Sequence, residues 1–334
     1  MIAYLGCYTD EAHPNGLEVI ELDEATGAMS VAARYPVTNA LYLALSPDGK
    51  RLYTCTGEGL ASFAVADGAR LERVDAIGLG DCVCHISLLP RLGRCAFADY
   101  AGGFAGSVAL DDGRFGEVAM HRHCGCGPNL PRQDKAHCHQ ACPLPDGSGY
   151  VVCDLGMDEL VEYPSLRRFR TSPAGAGPRH VVFHPDGRLA FLVSELGNLV
   201  ASLSWTPAAG FRQLDALSTL ANPGAYNLAA AIRFSPDGRD VVVSNRGENS
   251  LAVFDFDKES GRLAAKATTM LSGDWPRDFI FIGQSLALVA CERSGEVLSF
   301  RYNPESGAFF PLASLRGLFR PVAIAARSIG NVEM

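Results

Sequence analysis

An apolar run, a Pro-Asp-Gly turn and a second apolar run recur along this chain, and they restrict it to architectures made of short paired strands. The motif is clearest at Leu43–Tyr53, around Pro47-Asp48-Gly49. It returns at Pro145-Asp146-Gly147, at His184–Arg188 and at Ser235–Arg239, with a weaker copy at Ile86–Arg94 and a degenerate one at Ile282–Ser285. Proline presets φ and glycine supplies a positive φ, so each copy predicts a tight reversal between two strands. A second element alternates with it: strand, Asp/Gly-containing loop, strand. Its copies are Leu17–Met29, Leu60–Leu71, Gly106–Gly116, Glu159–Phe169, Leu199–Leu214, Ser250–Leu263 and Glu296–Phe310. Seven copies in 334 residues give a period of about 48, the size of a four-stranded propeller blade.

The register at the two ends bears on closure. Ile2–Tyr8 reads as a second strand with no inner strand before it, and Arg320–Arg327 as an inner strand with no repeat after it. Together they predict one shared blade, which removes open sheet edges. The expectation is an all-β, seven-bladed propeller with four-stranded antiparallel blades, one domain over residues 1–334. Ser328–Met334 is expected to be a loose tail.

Charge and cysteine content narrow the function classes. With 29 Lys+Arg against 37 Asp+Glu, the net charge of −8 argues against a basic nucleic-acid face. The first residues carry no basic segment followed by a long apolar run, and no apolar stretch is long enough for a membrane helix. The 11 cysteines, an odd number scattered through apolar runs, read as mostly buried reduced thiols of a cytoplasmic protein.

In a propeller, residues leading into the inner strands face one mouth of the central channel. Those stretches carry His85, His137, His139, Arg179, Arg233 and Arg277, and the ends of second strands add Asp154, Glu195, Arg246 and Glu292. Converging guanidinium groups suit a carboxylate or phosphate, and histidine or glutamate can move protons. The long loop Cys124–Gln140 adds Asn129, Arg132, Gln133 and Lys135; Lys135 reads as a rim charge, and Arg132 and Gln133 as either substrate contacts or loop anchors. Cys124, Cys126, Cys138 and Cys142 do not match a zinc-finger spacing. No metal or cofactor is expected, and His121 and His123 are expected on a solvated strand.

Several segments resemble the seven-bladed lactonase family, which includes propeller-type 6-phosphogluconolactonases. They include Gly127–Gln133 followed by His137-Cys138-His139, Gly177-Pro178-Arg179-His180, Ser194-Glu195-Leu196, Ser244-Asn245-Arg246-Gly247 and Pro276–Phe279. The family is similar in fold to the fungal carboxymuconate cyclase, which works with one His, one Glu and two Arg. The resemblance implies catalytic roles for His139, Glu195, Arg179 and Arg246. His85, His137, Arg132, Gln133, Arg233 and Arg277 are then the expected substrate contacts. Ala231 and Cys291-Glu292 depart from the family's pattern, and Ala231 is expected to remove a carboxylate from the pocket. The implied reaction is hydrolysis of an anionic, possibly phosphorylated, sugar lactone. A muconate-type lactonising enzyme and a non-catalytic binding propeller are the alternatives. The partner is a small anion, and the oligomeric state is left open.

Overall fold

The computed structural model describes residues 1–66, 70–80, 82–224 and 226–326; the expected loose tail lies outside them. Seven four-stranded antiparallel sheets form the blades of a propeller. The inner strands are Pro321–Ala326, Leu43–Leu45, Val83–Leu89, Cys138–Pro143, Pro178–Phe183, Leu228–Phe234 and Pro276–Ile282. The first of these pairs with Ile2–Cys7, which pairs with Leu17–Leu22 and then Met29–Tyr35. The two ends of the described chain therefore close the ring in one shared blade, as the register of the repeats requires.

Burial explains why the hydrophobic pattern changes across a blade. Second strands such as Leu189–Ser194 and Leu286–Cys291 are buried at every position, because each face is covered by a neighbouring blade. Sheets covered on both sides read as continuous apolar runs. Outer strands such as Met29–Tyr35 alternate between half-buried and exposed residues, since one face meets solvent. The apolar residues form seven clusters among the described residues, one at each seam between neighbouring blades. Ala231 belongs to the seam between the sixth and seventh blades, packed with Phe279 and Val289. Its small side chain is used in blade packing, not at the pocket wall as the sequence had suggested.

Six of the seven blades share a further feature. The pairing between inner and second strand slips by one or more residues close to the channel mouth. The residues bypassed are Val322, Cys84, His139, Arg179, Ala230 with Ala231, and Arg277. A β-bulge of this kind leaves the extra residue unpaired and re-aims its side chain. In four blades the re-aimed residue carries a thiol, an imidazole or a guanidinium.

Candidate active site

The bulges converge on a small pocket lined by Tyr42, Cys84, His139, Arg179, His180 and Arg277, among others. Glu195, at the end of the second strand of the fifth blade, lies behind its wall and gathers the charges there. Its Oε2 accepts from Arg179 Nε at 3.0 Å and lies 2.7 Å from Arg246 Nη2. Its Oε1 accepts from Arg132 Nη2 at 2.6 Å. Glu195, Arg179 and Arg246 are only 2%, 3% and 4% exposed, so these pairs are barely screened by solvent. Burial alone would push the Glu195 carboxyl up, but Arg246, Arg179, His139 and Arg132 outweigh it and hold it well below the usual range. Burial and the nearby Arg246 bring Arg179 down to about 9, which leaves it charged at neutral pH.

Each guanidinium is fixed by backbone as well. Arg179 Nη1 donates to Ala230 O at 2.6 Å, and Arg246 donates to Leu228 O and Ala229 O at 3.2 and 3.1 Å. The approach to Arg179 is set by Asp158, whose carboxylate accepts from Gly175 N at 2.6 Å and Gly177 N at 2.8 Å. Both glycines have positive φ, +86° and +65°, which explains glycine at these positions.

His139 lies beside this cluster. Its Nε2 is 3.9 Å from Glu195 Oε2, too far for a hydrogen bond, and its buried Nδ1 has no partner among the described residues. Burial, then Arg179, pushes the imidazole well below its ordinary pKa, with Glu195 opposing. A neutral imidazole of this kind can accept a proton. Its ring meets His180 at 5.3 Å, and His180 meets His85 at 5.4 Å. Tyr42 packs against His85 at 4.0 Å, with the rings tilted by 32°. Among the described residues, neither ring nitrogen of the buried His85 has a hydrogen-bond partner.

The ten candidate residues therefore divide. His139, Glu195, Arg179, Arg246 and Arg132 form one cluster, and His85 joins it through His180. Arg277 lines the same pocket and donates to Glu292 at 3.1 Å. Arg233 is drawn to the channel wall by Asp278, 2.9 Å away, and by Phe279 O. Two expectations are corrected. Gln133 is fully buried and donates to Leu155 O and Asp158 Oδ1, both at 2.8 Å, while accepting from Asn129 N. It anchors the long loop, and so leaves its neighbour Arg132 to reach Glu195. His137 has both ring nitrogens engaged, by Asp134 Oδ1 and Tyr100 O at 2.9 Å each, and stacks on Tyr100. Lys135 donates to Ala101 O at 2.7 Å.

His180, Tyr42, Tyr100 and Arg320 were not singled out as site residues from the sequence, and Glu292 was placed at the mouth without a role. Tyr100 accepts from Arg132 at 3.1 Å and meets His139 edge-on at 5.5 Å. The available signal was positional, since His180 follows Arg179 and Tyr100 follows a second strand. His123, expected on a solvated strand, is 4% exposed and bonded at 2.7 Å to both Asp154 and Tyr163. Its donor atoms, with those of Cys138 and Asp154, lie within 4.8 Å of one another. Both His123 nitrogens are already spent within that network. Cys124 and Cys126 are exposed, apart from it.

A profile described as "Lactonase, 7-bladed beta-propeller" matches residues 2–324. The chain belongs to the seven-bladed β-propeller lactonase family. As a member it is an enzyme of the lactonase class. It is 32% identical to the 6-phosphogluconolactonase of Bacillus subtilis, over 97% of each chain. A solved structure from Lactobacillus plantarum, 30% identical, superposes with a TM-score of 0.88 over 97% of this chain and 98% of the other. The periplasmic gluconolactonase of Pseudomonas aeruginosa, 27% identical, superposes with a TM-score of 0.89 over 97% and 98%. Among the described residues, no helix is long and apolar enough to cross a membrane.

The three buried histidines of this lactonase site carry a stability prediction. Burial lowers His85, His139 and His180 well below 6.5, reinforced by Arg233 and Arg179 at His85 and by Arg179 at the other two. Between pH 6.5 and their folded values the unfolded chain binds more protons, so stability falls as pH falls. Each histidine contributes at most about 1.4 kcal/mol per pH unit, so the three together at most roughly 4. Glu195 acts in the same direction at lower pH, because its stabilisation is present above 4.5 and lost as the pH drops through its depressed folded value. Urea midpoints should fall steeply between pH 6.5 and 5. A flat midpoint over that range would mean that the rings are not held neutral in the folded state.

Proposed function

We propose that this protein hydrolyses an anionic sugar lactone, 6-phosphogluconolactone or a close analogue, using side-chain acid–base chemistry alone. One observation carries the reading: a neutral, partly unpartnered His139 stands beside a carboxylate gripped by three guanidinium groups. Among the described residues, Arg132, Arg179, Arg246, Arg233, Arg277 and Arg320 around the mouth are paired with three carboxylates, Glu195, Asp278 and Glu292. A chain with net charge −8 thus carries a local cationic surplus, suited to a substrate with an ionised group and to the oxyanion formed during hydrolysis.

In this reading His139 takes a proton from water as its oxygen bonds to the lactone carbonyl carbon. Arg179 and Arg246 stabilise the resulting oxyanion. The ring C–O bond then breaks, and the imidazolium returns its proton to the departing alkoxide, giving the open hydroxy acid. Glu195, held as a carboxylate, is a weak base; it orients Arg132, Arg179 and Arg246. The names of the Bacillus subtilis and Pseudomonas aeruginosa relatives support a gluconolactone-type substrate. Eleven cysteines with no disulfide between them fit a reducing compartment, the cytoplasm.

The test is turnover of purified protein on three compounds: 6-phosphoglucono-δ-lactone, glucono-δ-lactone and a muconate-type dicarboxylate. Preference for the phosphorylated lactone is expected. Turnover of the dicarboxylate alone would give the site to a lactonising enzyme, and no turnover of any would point to a binding propeller.

A further inference from the structure

Beside the Glu195 cluster lies a second group of charges. Glu292 accepts from Arg277 Nη1 at 3.1 Å through one oxygen and from Arg320 Nη2 at 2.6 Å through the other. Both guanidinium groups sit over the ring of Tyr8, at 5.4 and 4.2 Å. Arg320 O in turn accepts from Tyr8 N at 3.1 Å, and Arg320 is held at φ +47°. Positive φ is uncommon for a residue other than glycine and accumulates at functional positions.

Donor use separates this pair from the guanidinium groups of the Glu195 cluster. Arg179 and Arg246 each give two or more contacts to Glu195 and backbone carbonyls, with the remaining donors left for the reacting centre. Among the described residues, Arg277 and Arg320 each give one hydrogen bond, to Glu292, although a guanidinium has five N–H donors. Arg320 remains half exposed and Arg277 partly so, at 50% and 21% for their side chains. Arg277 also lines the pocket that contains His139 and Arg179, and its charge acts on both His139 and Glu195. Two cations against one carboxylate leave one unit of positive charge, with unspent donors, beside the reacting centre.

We propose that Arg277 and Arg320 form the subsite for the charged end of the substrate remote from the lactone, and that Glu292 sets how strongly it binds. A phosphate offers acceptors to both guanidinium groups, and one charge-assisted hydrogen bond supplies roughly tenfold in affinity. Glu292 spaces the pair and competes with the ligand by partly neutralising it. The assignment rests on the lactonase reading of the neighbouring cluster.

Two variants test it, Arg320→Asn and Glu292→Gln; asparagine tolerates the positive φ. The readouts are kcat and KM for 6-phosphoglucono-δ-lactone and glucono-δ-lactone, and binding of inorganic phosphate by calorimetry. Arg320→Asn is expected to lower the preference for the phosphorylated lactone roughly tenfold, through KM more than kcat. Glu292→Gln is expected to tighten phosphate binding severalfold. An unchanged preference in the first variant, or unchanged phosphate affinity in the second, overturns the subsite. If the native protein turns over neither lactone, the lactonase reading fails. Phosphate binding still decides the subsite: weaker with Arg320→Asn and tighter with Glu292→Gln supports it, and no difference sinks it.

Discussion

Replacing Glu195 with glutamine is expected to destabilise the fold by about 3–5 kcal/mol, because it strips the counter-ion from buried guanidinium groups. For a chain of 334 residues this lowers the melting temperature by roughly 4–7 °C. Arg179 and Arg246 would remain within the protein, still tied to Ala230, Leu228 and Ala229 by backbone bonds but facing one another uncompensated. The backbone bonds preserve part of their placement, so the variant is expected to fold. Oxyanion stabilisation depends on those two guanidinium groups being aimed correctly, and kcat/KM should fall by at least ~10². Calorimetric melting and lactone turnover measure the two effects. A wild-type melting temperature would mean that the carboxylate is not the common partner of three cations.

His139→Gln separates chemistry from stability. Among the described residues the imidazole has no partner at Nδ1 and a distant carboxylate at Nε2, so its removal breaks few bonds. The melting temperature should stay near that of the native protein. Turnover should not: loss of a general base lowers kcat by about 10²–10⁴. The pH profile adds a second readout. Because the His139 pKa lies well below 6.5, its basic form persists on acidification, and the acid limb of native kcat/KM should fall below the ordinary histidine range. That limb should vanish in His139→Gln. Activity within a few-fold of native would transfer the role of base to another residue and leave His139 as part of the channel lining.

The repeat carried most of the fold in legible form. Pro-Asp-Gly turns, alternating loops and the mid-repeat ends fix seven blades and their closure, because turn chemistry and apolar periodicity are local properties. The mouth positions followed from blade geometry, and the family resemblance added His139, Glu195, Arg179 and Arg246. How those side chains meet was not legible. A strand read with strict two-residue alternation gives His137 and His139 the same face, whereas the structure engages His137 with Asp134 and Tyr100 and leaves His139 by Glu195. The difference comes from the bulge at His139, a property of its pairing with the neighbouring strand.

The same reason separates what the sequence determined from what the tertiary structure decided. Periodicity determined the propeller and nominated the residues at its mouth. Strand register, loop anchoring and inter-blade ion pairs decided their roles: Gln133 anchors, Arg132 reaches Glu195, and Glu292 joins Arg277 to Arg320 from the closing blade. Apart from Arg277 with Glu292, these contacts span blades or distant segments. Charge pairing across such distances depends on three-dimensional placement, which no local pattern of residues encodes.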